Sequence, residues 1–554
     1  MKHKHAVFAL LAVALAASRV GAQDHMHSHA EEPSRLGSVH FPVSCQSSLQ
    51  DDFDHAVALL HSFGYEAARK AFTDVAARDP SCAMAQWGVA MTLYHPIWAA
   101  PTAAELEQGR AAAQKAAQLG AAGAREQGYI AAISAFYSDA DKVDHKTRAQ
   151  TYRQAMEDLA HRFPDDHEAA IFYALSLLGS APANDPSYAQ QKQAAAVLNA
   201  LLPLEPQHPG IAHYLIHSFD SPGLANLALS AARAYAKIAP DSPHAQHMPS
   251  HIFTRLGLWQ ESIASNLTSE ATANAVVAKA HPGTTAFNAL HALDYLEYAY
   301  LQRGEDEKAK AVLERAVKAT SFDDPSFAAG YSLAAIPARY ALERHRWSEA
   351  ASLVSPSAPL PWDQYPYALA VTQFARAVGG ARSGQAAVAQ HALTKLEAIR
   401  DQVKKAPPAG PYDWAGQVES MRLAAAGYLA HAHGDHEEAL RLLRSAADLQ
   451  DKVGKHPVTP GEVLPARELL ADLLLEMNRP AEARSEYEIT LKTAPNRLNS
   501  LYGAARSAKL VGDEKAAREF YTQIMGVASG DSIRAEVGEA RIALRRSSPT
   551  PDRP

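Results

Sequence analysis

Two histidine pairs with the same gap, His213/His217 and His247/His251, stand 34 residues apart along the chain. Residues four apart on a helix are near neighbours, so each pair can turn two imidazoles toward one ion. His244 precedes the second pair by one helical turn and joins the same set. Imidazole suits zinc, copper, nickel or iron, and nearby carboxylates widen the choice to manganese. Neither pair carries a glutamate directly after its first histidine, so the zinc-protease motif with its built-in general base is absent.

The elements that must position these residues are helices. From Asp51 onward, Ala-rich stretches with apolar residues at helical spacing are broken by Pro and Gly, with no alternating strand pattern. The interval of 34 recurs between Ala194 and Ala228, between Pro206 and Pro240, and between Ala483/Tyr487 and Ala517/Tyr521. The segment from His61 through Gly64, Ala67, Ala68, Ala71 and Phe72 to Asp79-Pro80 carries small residues, an aromatic and a terminal proline in the order of a tetratricopeptide (TPR) second helix. Small side chains let the helices of a hairpin approach, and large apolar ones fill the groove to the next hairpin. The expected fold is all-α, a right-handed TPR-type superhelix whose hairpins bury their apolar faces by stacking.

In that register the first helix of each hairpin lines the concave surface. Glu168, His213, His217, Asp220, His244, His247, His251, Arg255, His291, Asp294, Tyr298 and Arg339 are assigned to it, with Arg506 at the equivalent place of a later hairpin. Two uses compete. The groove can recognise a protein, a peptide or a small ligand, with guanidinium groups holding a carboxylate. Alternatively the histidines His213, His217, His244, His247 and His251 bind a transition metal, zinc or copper. A metal-dependent hydrolase, with Glu168, Asp220 or Asp294 as base, is a further alternative that no motif supports. Pro249 removes a helical hydrogen bond between His247 and His251 and predicts a bend there.

Composition narrows the setting. Residues 1–22 combine Lys2 and Lys4, an apolar run and small residues at Gly21-Ala22, the layout of a secretory signal peptide. Removing it makes the formal charge of −7 more negative by three. Basic residues are scattered, so no nucleic-acid partner is expected, and no later stretch reaches transmembrane length. The two cysteines, Cys45 and Cys82, lack a Cys-x-x-Cys spacing and are expected to form a disulfide in an oxidising compartment, periplasmic or secreted.

The expected organisation is a signal peptide at 1–22, a flexible His-rich tail at 23–40 containing His25, His27 and His29, and a first array at 41–379. An irregular linker at 380–410, marked by Gly379-Gly380 and Pro407-Pro408, leads to a second array at 411–546 and a frayed end at 547–554.

The segments His40-Phe-Pro-Val-Ser-Cys45, Asp79-Pro-Ser-Cys82, His247-Met-Pro-Ser-His251 through Trp259, His456-Pro-Val-Thr-Pro460-Gly461, Pro465-Ala-Arg-Glu468 and Pro495-Asn-Arg497 resemble those of a group of exported bacterial TPR proteins. The likeness spans nearly the whole mature chain. It implies the fold and an exported location, and no particular activity.

Overall fold

The computed structural model describes residues 35–97, 100–182, 185–406 and 412–546. The expected signal peptide, the histidines of the tail and the carboxyl-terminal end lie outside them. Residues 35–40, expected to belong to the tail, are seated. The Arg35 guanidinium and backbone N–H both donate to Asp241, Leu36 is buried, and Ser38 N–H donates to the Gln207 carbonyl at 2.9 Å. Gly37 makes this approach possible. Its φ is +92°, and a Cβ there would lie 2.7 Å from the Gln207 oxygen.

The described chain is a succession of antiparallel helical hairpins, with one isolated bridge between Thr285 and Phe322. The close approach of paired helices rests on glycine facing an aromatic ring. A Cβ on Gly88 would sit 2.3 Å from the Phe72 ring, and one on Gly503 2.2 Å from the Tyr487 ring. The 34-residue interval is visible at helix starts, because Pro209 and Pro243 each open a first helix from its first turn. The TPR-type all-α architecture therefore follows from its packing residues.

The expected linker at 380–410 is a correction. Helices Pro366–Arg382 and Ala386–Lys405 occupy most of it, with Val378, Ala389 and Leu396 buried in the same core. Gly379 and Gly380 are sites of close approach rather than breaks. A Cβ on Gly379 would meet Ala351 N at 2.6 Å, and one on Gly380 would meet Ala389 N at 2.8 Å. Residues 412–546 are not a separate array either, since the described residues from Arg35 onward belong to one compact unit.

The later hairpins return to the middle of the chain. Trp259 Nε1 donates to the Asn496 carbonyl at 2.9 Å, Leu498 N–H to Gln302 Oε1 at 2.9 Å, and Arg534 Nε to Asp306 Oδ1 at 2.7 Å. Leu290 and Leu301 share a core with Leu501, Tyr521 and Ile524. The segment 454–465, between helices His436–Val453 and Ala466–Glu476, lies over helix Phe287–Gln302. There the Thr459 carbonyl accepts from Tyr295 Oη at 3.1 Å, and Gly461 rests on the Tyr298 ring.

Candidate metal centre

Six histidines meet in two clusters of three. In the first, His213 and His217 come from helix Pro209–Phe219 and His244 from helix Pro243–His247. His213 Nε2 is 3.0 Å from His217 Nε2 and 2.9 Å from His244 Nε2. His213 Nδ1 donates to the backbone carbonyl of His61 at 2.6 Å, so its proton is on Nδ1 and its Nε2 presents a lone pair. Phe63 packs over the cluster, with ring centroids 4.4 Å from His213, 5.4 Å from His244 and 5.6 Å from His217.

Phe63 reaches that place through an unfavourable backbone. Its φ is +53°, at the helix end where other hairpins use Gly257, Gly304, Gly384, Gly434 or Gly512. The left-handed region costs a bulky residue about 1 kcal/mol or more. The ring is thereby turned onto the imidazoles.

The second cluster takes His247 from helix Pro243–His247, His251 from helix Pro249–Arg255, and His291 from helix Phe287–Gln302. One ligand nitrogen from each lies within 4.8 Å of the others, and the same holds in the first cluster. Pro249 interrupts the helix for a single residue, Met248, which keeps helical dihedrals of φ −53° and ψ −35°. The axis therefore continues, and His247 Nε2 and His251 Nε2 remain 3.0 Å apart.

Hydrogen bonds set the tautomers here as well. His247 Nδ1 donates to Asn266 Oδ1 at 2.7 Å, and the amide is oriented by its own Nδ2, which donates to the Ser262 carbonyl at 2.8 Å. His251 Nδ1 donates to Asp220 Oδ2 at 3.0 Å. The other oxygen of Asp220 accepts from Arg255 Nε at 2.8 Å. Tyr295 Oη spends its proton on the Thr459 carbonyl and leaves none for His251 Nε2.

Burial holds these rings neutral. It drives His213, His244, His247 and His291 well below the usual imidazole range, and neighbouring imidazoles add to the effect. His217 is pushed down to about 3, by burial first and then by His251. His251 is lowered by burial against the opposing pull of Asp220. Burial raises Asp220, and Lys455, Arg255 and His251 more than offset it, so the carboxylate stays ionised. At neutral pH the clusters offer uncharged imidazoles, the form that binds metals.

The remaining residues assigned to an open groove are engaged within the chain. Glu168 faces His61 Nε2 and His208 Nε2, each at 3.0 Å, and does not reach the histidine clusters. Arg339, fully buried, donates to Asp294 and lies 3.6 Å from Glu297. Tyr298 Oη accepts from Arg497 at 3.3 Å, and Arg255 is bound to Asp220. The open concave surface at these positions is thus corrected. Segment 454–465 and the returning hairpins reach its later part, where Arg497 bonds Tyr298 and Lys455 Nζ lies 4.0 Å from Asp220, while Glu168, Arg255 and Arg339 pair with groove and amino-terminal residues. Glu168 is held by His61 and His208, and Asp294 by Arg339.

Sequence reasoning missed His61, His208, Asn266, Tyr295 and Lys455. A histidine at the end of helix Gln50–His61, ahead of a non-glycine turn, was the available signal for the first. Cys45 and Cys82 are joined in a disulfide, which withdraws both thiols from metal binding with the adjacent Asp79. No described helix is long and apolar enough to cross a membrane.

No protein-family model matches the chain, and comparison with curated proteins gave no match. Among solved structures, the chain is similar to a human IFIT1 dimer with m7Gppp-AAAA, at 12% identity over 80% of this chain and 90% of that one, with a TM-score of 0.36. It is also similar to the TPR domain of P58(IPK), at 13% identity over 70% of this chain and 100% of that one, with a TM-score of 0.21.

Proposed function

We propose that this chain binds transition-metal ions of the copper and zinc class in its two trihistidine clusters. The observation that carries the reading is the facing pair of His247 and His251. Both Nδ1 protons are committed, to Asn266 and to the Asp220 carboxylate, so two Nε2 lone pairs oppose each other at 3.0 Å. Uncharged rings so arranged repel unless a cation lies between them, and burial opposes protonating either one. An ion bonded to both nitrogens at about 2.0–2.1 Å would take up the two lone pairs, with the rings moving slightly apart to reach tetrahedral or trigonal angles. The Nδ1 bonds to carbonyl, amide and carboxylate are those that orient metal-binding imidazoles.

An exported location, periplasmic or secreted, belongs to this proposal. The Cys45–Cys82 disulfide and the leader-like residues 1–22 support it. A scaffold that holds a peptide in its concave groove is the weaker reading, because the groove residues are paired with the chain's own segments.

The test uses protein purified without an affinity tag. It is stripped with a chelator and titrated with zinc or, under reducing conditions, copper, in competition with a chromophoric chelator. Tight binding is expected in the wild type, with loss in the His213→Ala/His251→Ala variant. No bound metal, or equal affinity in the folded variant, would defeat the reading.

A further inference from the structure

Resting on that metal-binding reading, we propose that the two clusters form one dinuclear copper centre, loaded as a cuprous pair, whose ligand is dioxygen. Three observations lead there. The first is adjacency. His244 belongs to one cluster and His247 to the other, and they are one turn apart on the same helix, Pro243–His247. One turn advances about 5 Å. Two ions held here are neighbours.

The second observation is the charge of the donors. All six are neutral imidazoles, and neither cluster contains a carboxylate ligand. Asp220, the carboxylate bonded to His251, is already matched by Arg255. Two dications would therefore bring four uncompensated charges into a buried site. The desolvation cost of an ion grows with the square of its charge, so a monocation is favoured about fourfold over a dication of similar size. Among the metals that imidazole suits, copper offers a stable monocation, and a three-coordinate imidazole set satisfies it.

The third observation concerns what such a pair can take up without changing the charge of the pocket. Each cuprous ion gives one electron to dioxygen. The products are two cupric ions and one peroxide dianion bridging them, with no proton consumed and no other reductant required. The total charge is two before and two after. Burial that disfavours a dicationic pair alone is thus satisfied once the peroxide is present. Aromatic rings line the pair, with His217 left partly exposed at its edge: Phe63 and Tyr235 flank the first cluster, with Tyr235 stacked on His213 at 5.1 Å. Tyr295 flanks the second, 4.7 Å from His247 between ring centroids.

The experiment is anaerobic titration of the stripped full chain with cuprous ion, followed by exposure to dioxygen. Two ions per chain are expected, then uptake of one dioxygen per pair, a new near-ultraviolet absorption and no paramagnetic copper signal. His244→Asn and His291→Asn should each hold one ion, and after oxidation each should show the signal of isolated cupric copper. One ion per wild-type chain, no dioxygen uptake, a full isolated-copper signal, or zinc held in preference to cuprous ion would overturn this proposal and leave the metal-binding reading in place. Absence of any bound metal would remove both. The wild-type titration decides the matter even if a variant fails to fold.

Discussion

Asp220 Oδ2 accepts a hydrogen bond from His251 Nδ1 at 3.0 Å, and this contact decides which nitrogen of His251 faces the other imidazoles. An amide at position 220 has the same shape but can offer either an oxygen or an N–H. Asp220→Asn is expected to weaken metal binding at the second cluster by about 10- to 100-fold, the usual loss when the partner of a metal-binding imidazole is changed. Binding at the first cluster should remain. Chelator competition on the Asp220→Asn and His217→Asn variants separates the two clusters, and an equal effect on both would contradict the assignment.

Arg339 is buried with Asp294 and Glu297. Arg339→Met is expected to lower stability by about 3–5 kcal/mol, because two buried acids lose their cation. Arg339→Met combined with Asp294→Leu should recover part of that loss. Denaturant unfolding of the wild type and the two variants measures it, with metal affinity unchanged.

Segment 454–465 carries two displaced titrations. Burial pulls Lys455 down to about 7, and it pushes Glu462 up to about 7. A raised acid contributes stability that is present below its unfolded value near 4.5 and is lost as pH rises toward 7. A depressed amine contributes stability that is present above 10.5 and is lost as pH falls toward 7. The segment is therefore held least firmly near neutrality. Hydrogen exchange across pH 5–10 should show a maximum of opening around pH 7. Glu462→Gln should remove the acid limb and Lys455→Met the alkaline one.

The disulfide closes a loop between residues 37 apart. Cys45→Ala/Cys82→Ala is expected to cost about 2–4 kcal/mol of stability, the range for loops of this order. Thermal unfolding in the presence and absence of reductant checks it. Metal binding should persist in the folded variant, since neither sulfur belongs to a histidine cluster.

Local periodicity was readable in the sequence, and long-range closure was not. Pro209 and Pro243 open equivalent helices because a repeat imposes the same start signals on each hairpin, and the two histidine pairs inherit that register. His244 was placed with the pairs for the same reason, whereas His291 was assigned to the groove and not to the metal set, which its place beside His247 and His251 corrects. Their division into two clusters depends on side-chain direction, which spacing does not encode. The groups that set the tautomers come from 152 residues away for His213 and from a neighbouring helix for His247. Gly379-Gly380 resembled a break because glycine permits turns and close packing alike. Spacing gave no sign that segment 454–465 lies over helix Phe287–Gln302, since a repeat describes each hairpin's neighbours and says nothing about what crosses the hollow.

The bond from Trp259 to Asn496 ties residues 237 apart. Simple repeat stacks grow from any point, each unit resting on the last, but a stack whose end clasps its middle has a final step that must wait for the whole polypeptide. The roof over Tyr295 arrives with that step. A chain cut short before Thr459 would leave Tyr295 without the carbonyl that accepts its hydrogen bond, so the surroundings of His251 are completed only when the whole polypeptide is in place.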